Sequence, residues 1–143
     1  MVDSYNLRWI DLSHNKFECL TEVIFPFLIL IMLKEFAKFP NLQSLYLHCN
    51  KIRNMNELRK LESITKLKTL TIHGNPLDQL PNFRIYILGI LPNLKRLDTV
   101  LVTYKEKDNA AVWRFTFNKR RLPVAPYDDE DMKGISQDDN DDL

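Results

Sequence analysis

Three histidines, two cysteines and one Ser-His pair are the residues of this 143-residue chain whose types could support metal or nucleophile chemistry. His48 and His73 follow Leu47 and Ile72 in segments that read LYLHCN and LTIHGN, so they hold equivalent positions. Adjacent parallel strands lie about 4.8 Å apart, close enough for two such rings to meet a zinc ion with Cys49 beside them. Zinc needs three or four converging ligands, however, and His14 stands one residue later in its own segment. No CxxC pair is present, and Cys19 and Cys49 are too few for a disulfide scaffold. Ser13 and His14, as neighbours in a strand, would point to opposite faces. Cys49 beside His48 reads as packing. With no HExxH, GxSxG, P-loop or dinucleotide fingerprint, the sequence predicts no catalytic residue, no metal ligand and no cofactor.

The segments that carry the histidines repeat. A pattern L-x-x-L-x-L-x-x-N-x-L runs through Leu7, Ile10, Leu12, Asn15 and Phe17, then Leu42, Leu45, Leu47, Asn50 and Ile52, then Leu67, Leu70, Ile72, Asn75 and Leu77. A degenerate fourth copy starts at Leu94 and Leu97, with Thr99 and Val102 replacing the next Leu and the Asn. Such self-similarity is the mark of a solenoid. The x-L-x-L alternation has the two-residue period of a short strand. The Asn amide can serve backbone groups that the turn after the strand leaves unpaired, so Asn15, Asn50 and Asn75 read as structural repeat residues. Between strands, 56–66 places Leu58, Leu61 and Ile64 on one helical face. A second helix begins at Pro81, with Phe83, Tyr86, Ile87, Ile90 and Leu91 sharing a face, and Pro92 stops it. A last helix runs to about Phe117, capped by Thr103 with Glu106 three residues on, and Val112, Trp113 and Phe117 are expected to close the core.

The expected fold is therefore α/β, a right-handed leucine-rich-repeat solenoid with short parallel strands on the concave face, helices on the convex face and a C-terminal helical cap. Residues 1–117 form the repeat domain, with repeats starting near 7, 42, 67 and 94, and 118–143 form an extended tail, basic and then acidic. The first interval is about ten residues longer than the others, and the surplus coincides with an apolar insert near 23–36. Its continuous run, VIFPFLILIML, is too short for a membrane span of roughly 20 residues and contains Pro26. It reads as buried or partner-facing, so no membrane association is expected. Without a signal-peptide core or a glycosylation sequon, the chain reads as cytoplasmic with reduced thiols.

LYLHCN, LTIHGNP, FRIYILGILPNLKRLD and VTYKEKDNAAVW together resemble the short leucine-rich-repeat class with a C-terminal cap, which includes axonemal and phosphatase-regulator proteins, and within it the leucine-rich repeat-containing protein 51 family. The resemblance covers about 7–117. It implies a non-catalytic protein-interaction module of the cilium or axoneme, a structural or microtubule-associated component whose partners are other proteins, such as tubulin or axonemal proteins within a large complex. A ribonucleoprotein-associated module and a phosphatase-regulatory subunit are the competing readings, since a spliceosomal protein shares the repeat-and-cap plan. Two departures stand out. The family has further sequence before the first repeat, so its uncovered edge suggests truncation, and an unremoved intron or a genuine insertion would each explain the apolar insert.

Outward strand positions supply the binding surface. On the concave face these are Trp9, Asp11, Tyr46, Thr69, Thr71, Arg96 and Asp98, joined by His48 and His73 at the strand ends, with Ser44 in the same column. Trp, Tyr and Arg dominate interface hot spots, which makes Trp9 and Tyr46 the expected anchor. Trp9 reads equally as a shield for the first repeat. Lys119, Arg120 and Arg121 head a basic surface that could meet acidic proteins. Nucleic acid is disfavoured because aromatic interleaving among the cations is weak.

The formal net charge of +1 conceals segregation. Residues 128–143 carry eight carboxylates against Lys133, a net −7, which leaves +8 on residues 1–127. The acidic tail reads as a screen over the basic body that a partner displaces, or equally as a solubilising tail. Deleting 128–143 is expected to strengthen salt-dependent binding of the body to an anionic surface such as a Glu-rich resin, compared by elution in a salt gradient. Coincident elution of the two forms would remove the idea.

Overall fold

The x-L-x-L segments form strands only two or three residues long. The computed structural model describes residues 6–16, 39–117 and 125. Phe17, Cys19, the insert near 23–36, Lys119, Arg120, Arg121 and the acidic residues 128–143 lie outside the described residues, as does the side chain of Phe117. Strands β1 (Trp9–Asp11), β2 (Ser44–Tyr46), β3 (Thr69–Thr71) and β4 (Arg96–Leu97) pair in parallel and in chain order. β5 (Val100–Leu101) then returns antiparallel to β4. The fourth repeat is thus interrupted: Asp98 takes a positive φ of 54° and turns the chain into a hairpin instead of continuing the coil.

Register aligns the repeat. Ile10 pairs with Leu45, Leu45 with Leu70, and Leu70 with Leu97. All four are buried, and with Leu42, Leu47, Leu67, Ile72 and Leu94 they build one ladder of apolar side chains inside the coil. Burying each such side chain contributes about 1.5–3 kcal/mol. Ile10 is the most exposed of the four, and the flanking Leu7 and Leu12 are only partly buried, because among the described residues β1 is the edge strand of the sheet.

Convex segments close each coil. α1 (Met55–Leu58) begins at Asn54, whose side chain accepts a hydrogen bond from the Asn56 N–H, and passes into a 3-10 turn, Arg59–Ser63. The three-residue spacing of Leu58, Leu61 and Ile64 matches that tighter helix, so the single helix expected over 56–66 is realised as one α turn and then 3-10. A second 3-10 turn, Pro76–Gln79, leads to α2 (Phe83–Ile90). α2 buries Ile87 and Ile90 against the repeats, and it also buries Leu88 and Gly89 on a second face.

That second face is covered by α3 (Tyr104–Phe117). Trp113 lies on α2, its ring centroid 4.9 Å from that of Tyr86. A methyl group on Gly89 would stand 2.3 Å from the Trp113 ring, so the close approach requires glycine at this position. Ala110 completes the contact at 1% exposure. Val112, in contrast, is 69% exposed and takes no part in closing the core. The helix docks with Ala110 and Trp113, three residues apart, which turns Val112 toward solvent. Ala125, beyond the helix, is buried and donates its N–H to the Arg53 carbonyl at 2.9 Å, so the chain after the cap returns to the repeats.

Glu106 organises the start of α3. Its Oε2 accepts from the Thr103 N–H at 2.8 Å and the Thr103 hydroxyl at 2.9 Å, while the Thr103 hydroxyl accepts from the Glu106 N–H at 3.3 Å. Its other oxygen accepts from Arg84 Nε of α2 at 2.6 Å. The Arg84 bond foremost, then the Thr103 N–H, hold the carboxyl down from 4.5 to about 2. A carboxyl more acidic in the folded chain stabilises the fold above its ordinary pKa and loses that contribution as pH falls toward 2. Glu106→Gln is expected to cost about 1 kcal/mol at pH 7, lowering the melting temperature by roughly 2–4 °C. The difference between variant and parent should shrink steadily from pH 5 and vanish near pH 2 in a pH series of thermal melts.

Candidate functional site

Pleat and register place the outward side chains in two columns. Trp9, Ser44, Thr69 and Arg96 form the first, and Asp11, Tyr46 and Thr71 the second. Trp9 is opposite Ser44 and Tyr46 opposite Asp11, so the two rings are diagonal neighbours, a separation of about 7–8 Å that large side chains span. Trp9 is 63% exposed, which means it shields little of the first coil. Tyr46, Thr69 and Thr71 are half-buried, and Arg96 is exposed.

The carboxylates of this face are already engaged. Asp11 accepts from the N–H and the hydroxyl of Ser13, at 2.9 and 2.6 Å, and those bonds lower its pKa. Asp98 has left the strand, so the second column ends at Thr71. Its Oδ1 accepts from the N–H groups of Ile72 and His73, at 2.7 and 3.0 Å, and lies 3.1 Å from the His73 ring. From the fourth coil it thus reaches back to the exit of β3, where Asn75 serves the Ile72 carbonyl.

His14, His48 and His73 form one row along the strand exits. His48 stacks on His73 at 4.8 Å, and His14 meets His48 edge-on at 5.1 Å. The later sequence position of His14 does not remove it from the row, because its φ of 54° swings the chain at that residue. Cys49 and Gly74 hold the same position as His14 in their coils, at φ 56° and 70°. A Cβ on Gly74 would lie 3.2 Å from the Cys49 sulfur, so stacking and backbone both favour glycine there. Among the described residues no group of three or more His, Cys, Asp or Glu could hold a metal ion. His48 Nδ1 lies instead 2.9 Å from the Thr71 hydroxyl.

Beneath the row runs the amide ladder. Asn50 donates to Leu47 O in its own coil and Leu12 O in the one before, at 2.9 and 3.0 Å. Asn75 donates likewise to Ile72 O and Leu47 O, at 2.6 and 3.0 Å, and its oxygen accepts from the Ile52 N–H at 2.9 Å. Both are buried. Asn15 is exposed, and among the described residues it bonds within its own turn, to Leu12 O and Ser13 O.

With this geometry in view, the comparisons with known proteins are informative. A family model described as leucine-rich repeat matches residues 29–121, and a second of the same description matches 6–28. Leucine-rich repeat-containing protein 51 of Bos taurus is 36% identical over 109 residues, covering 76% of this chain and 50% of the relative, and that of Homo sapiens is 35% identical over the same span. U2 small nuclear ribonucleoprotein A′ of Yarrowia lipolytica is 41% identical over 58 residues, 41% of this chain and 25% of the relative. Among solved structures, the Drosophila melanogaster SNF/U2A′ complex is similar with a TM-score of 0.63 at 25% identity, covering 80% of this chain and 59% of that one. The Mex67 leucine-rich-repeat domain of Chaetomium thermophilum has a TM-score of 0.55 at 25% identity, covering 71% and 62%. The chain belongs to the leucine-rich-repeat family and, within it, to the leucine-rich repeat-containing protein 51 family. It spans about half the length of the curated relatives it matches. Leucine-rich-repeat domains are protein-interaction modules, and this chain is one of them. No described helix is long and apolar enough to cross a membrane.

The ladder is testable. Asn75→Ala removes the amide partner of the Ile72 carbonyl and of the Ile52 N–H, each costing about 1–3 kcal/mol if no water reaches it, and leaves Leu47 O with the Asn50 amide as donor. A loss of about 2–4 kcal/mol is expected in urea unfolding, against less than about 1 kcal/mol for the exposed Asn15→Ala.

Proposed function

We propose that the chain is a non-catalytic module that captures a protein partner on its concave face and works in the cilium or axoneme as a structural or microtubule-associated component. Kinship with the leucine-rich repeat-containing protein 51 family supports the setting. The observation that carries the surface is Trp9, an indole 63% exposed on the sheet and diagonal to Tyr46. An exposed ring with few internal contacts gains the most area when a partner covers it. Tyr46, Thr69, Thr71, His48 and His73 supply adaptable hydrogen bonding around it, and Arg96 a cation at the far end of the column. Asp11 and Asp98 act mainly by fixing the turns that shape this edge. Tubulin or an axonemal protein within a large complex is the partner this setting offers.

A ribonucleoprotein role is the second reading, favoured by the U2 small nuclear ribonucleoprotein A′ relative and by the SNF/U2A′ fold neighbour. Proximity labelling by the full chain in ciliated cells separates the two. Axonemal proteins should be labelled, and Trp9→Ala with Tyr46→Ala should lose at least ten-fold of that labelling while the circular-dichroism melt stays within a few degrees of the parent. Predominant labelling of spliceosomal proteins overturns the ciliary reading, and unchanged labelling by the double variant removes the concave anchor.

A further inference from the structure

The backbone ladder at the strand entrances aligns four residues that the repeat pattern alone treats as variable. Gln43 and Ser44 both donate their N–H groups to Arg8 O, at 2.8 and 3.0 Å. Lys68 and Thr69 donate to Gln43 O, at 2.8 and 2.9 Å, and Lys95 and Arg96 to Lys68 O, at 2.8 and 3.0 Å. Arg8, Gln43, Lys68 and Lys95 therefore stand side by side on successive coils, with Arg96 next to Lys95 in the first outward column. Arg8, Lys68, Lys95 and Arg96 are all exposed. Among the described residues none of these four joins an ion pair. Among the described residues, Asp11 and Asp98 sit at the opposite ends of the strands and already accept hydrogen bonds there. The two ends of the strands thus differ in charge: exposed cations line the entrances, and engaged carboxylates with the histidine row line the exits.

We propose that the strand-entrance row Arg8–Lys68–Lys95, with Arg96, is a docking strip for an extended acidic peptide segment of the protein partner, laid across the strands with its end against Trp9. This rests on the reading of the chain as a protein-interaction module and names the chemistry of what it captures. The spacing fits. Three strand-to-strand steps of about 4.8 Å separate Arg8 from Lys95, roughly 14 Å, and alternate residues i, i+2 and i+4 of an extended chain span nearly the same length. Acidic side chains at i and i+4 therefore stand opposite Arg8 and Lys95, and the one at i+2 falls between Gln43 and Lys68, within the reach of the long flexible lysine side chain. Trp9 follows Arg8 directly and offers an apolar surface at the end of the strip. Nucleic acid fits less well. A polyphosphate strand bound this way wants stacking rings interleaved with the cations, and here Trp9 stands at one end while Tyr46 is half-buried beside Asp11.

Fluorescence anisotropy on the full chain tests the strip, with a fluorescein-labelled dodecaglutamate peptide as the probe and a labelled dodecauridine RNA beside it. The peptide is expected to bind in 50 mM NaCl and to weaken several-fold at 200 mM. Lys68→Glu with Lys95→Glu should weaken it at least ten-fold. Lys60→Glu with Lys107→Glu, which reverses as many charges on the convex turn and the cap helix, should stay within two-fold. Circular dichroism confirms that each variant folds. Equal losses in both variants, or no loss in the first, overturn the strip as a site. Tighter binding of the RNA than of the peptide, lost in the same variant, overturns its assignment to an acidic protein. If the strip fails while the Trp9/Tyr46 variant still loses its labelled partners, the interaction reading stands without it.

Discussion

Everything in this fold depends on pairing the polar backbone where each strand ends. The strands are too short for their own ladder to satisfy the turn that follows, and the turn is pressed against an apolar interior. A buried carbonyl without a donor costs more than a typical hydrogen bond returns. The side-chain amides of Asn50 and Asn75 meet that demand twice over, in their own coil and in the coil before. Each coil is therefore tied to its neighbour by side chain as well as by strand. The stacked leucines supply the larger energy, but the amides set the pitch at which the leucines meet.

Satisfying the turns also shapes the surface. Backbone at His14, Cys49 and Gly74 enters the left-handed region, which brings three imidazoles into a contiguous row along the strand exits. At the fourth coil Asp98 accepts from the backbone N–H groups at the exit of β3, and the chain turns back as a hairpin. The solenoid ends there because Thr99 and Val102 stand where the next Leu and Asn would be. α3 then covers the exposed side of α2, held by Trp113 over Gly89 and by the Arg84–Glu106 bond. The chain past the cap touches the repeats again at Ala125, whose N–H reaches the Arg53 carbonyl. Among the described residues, packing and the Arg84–Glu106 hydrogen bond join the cap to the repeats, and the Ala125–Arg53 backbone bond ties the chain beyond the cap to them.

Most of the architecture was legible because it rests on short-range periodicity. Strand positions, the repeat asparagines, the capping box at Thr103 and Glu106, and the stop at Pro92 each follow from a few adjacent residues. Several readings that changed concern which face an element turns toward a distant partner. Val112 looks like a core residue in sequence, yet α3 docks through Ala110 and Trp113 and leaves Val112 in solvent. Gly89 gave no signal, because the need for glycine there is imposed by a helix fifteen residues further on. His14 seemed out of line until the backbone turned it.

The sequence by itself determined the repeat, its spacing and the side chains that fill the coil, because a two-residue alternation and a recurring Asn act locally and leave a periodic trace. Only the tertiary structure decided which outward residues become neighbours. Register between coils is a property of stacking, and it alone places Trp9 diagonal to Tyr46 and aligns Arg8, Lys68 and Lys95, residues 60 and 27 positions apart in the chain. The chemistry of the concave face is therefore a product of coil stacking, and no single segment of the sequence contains it.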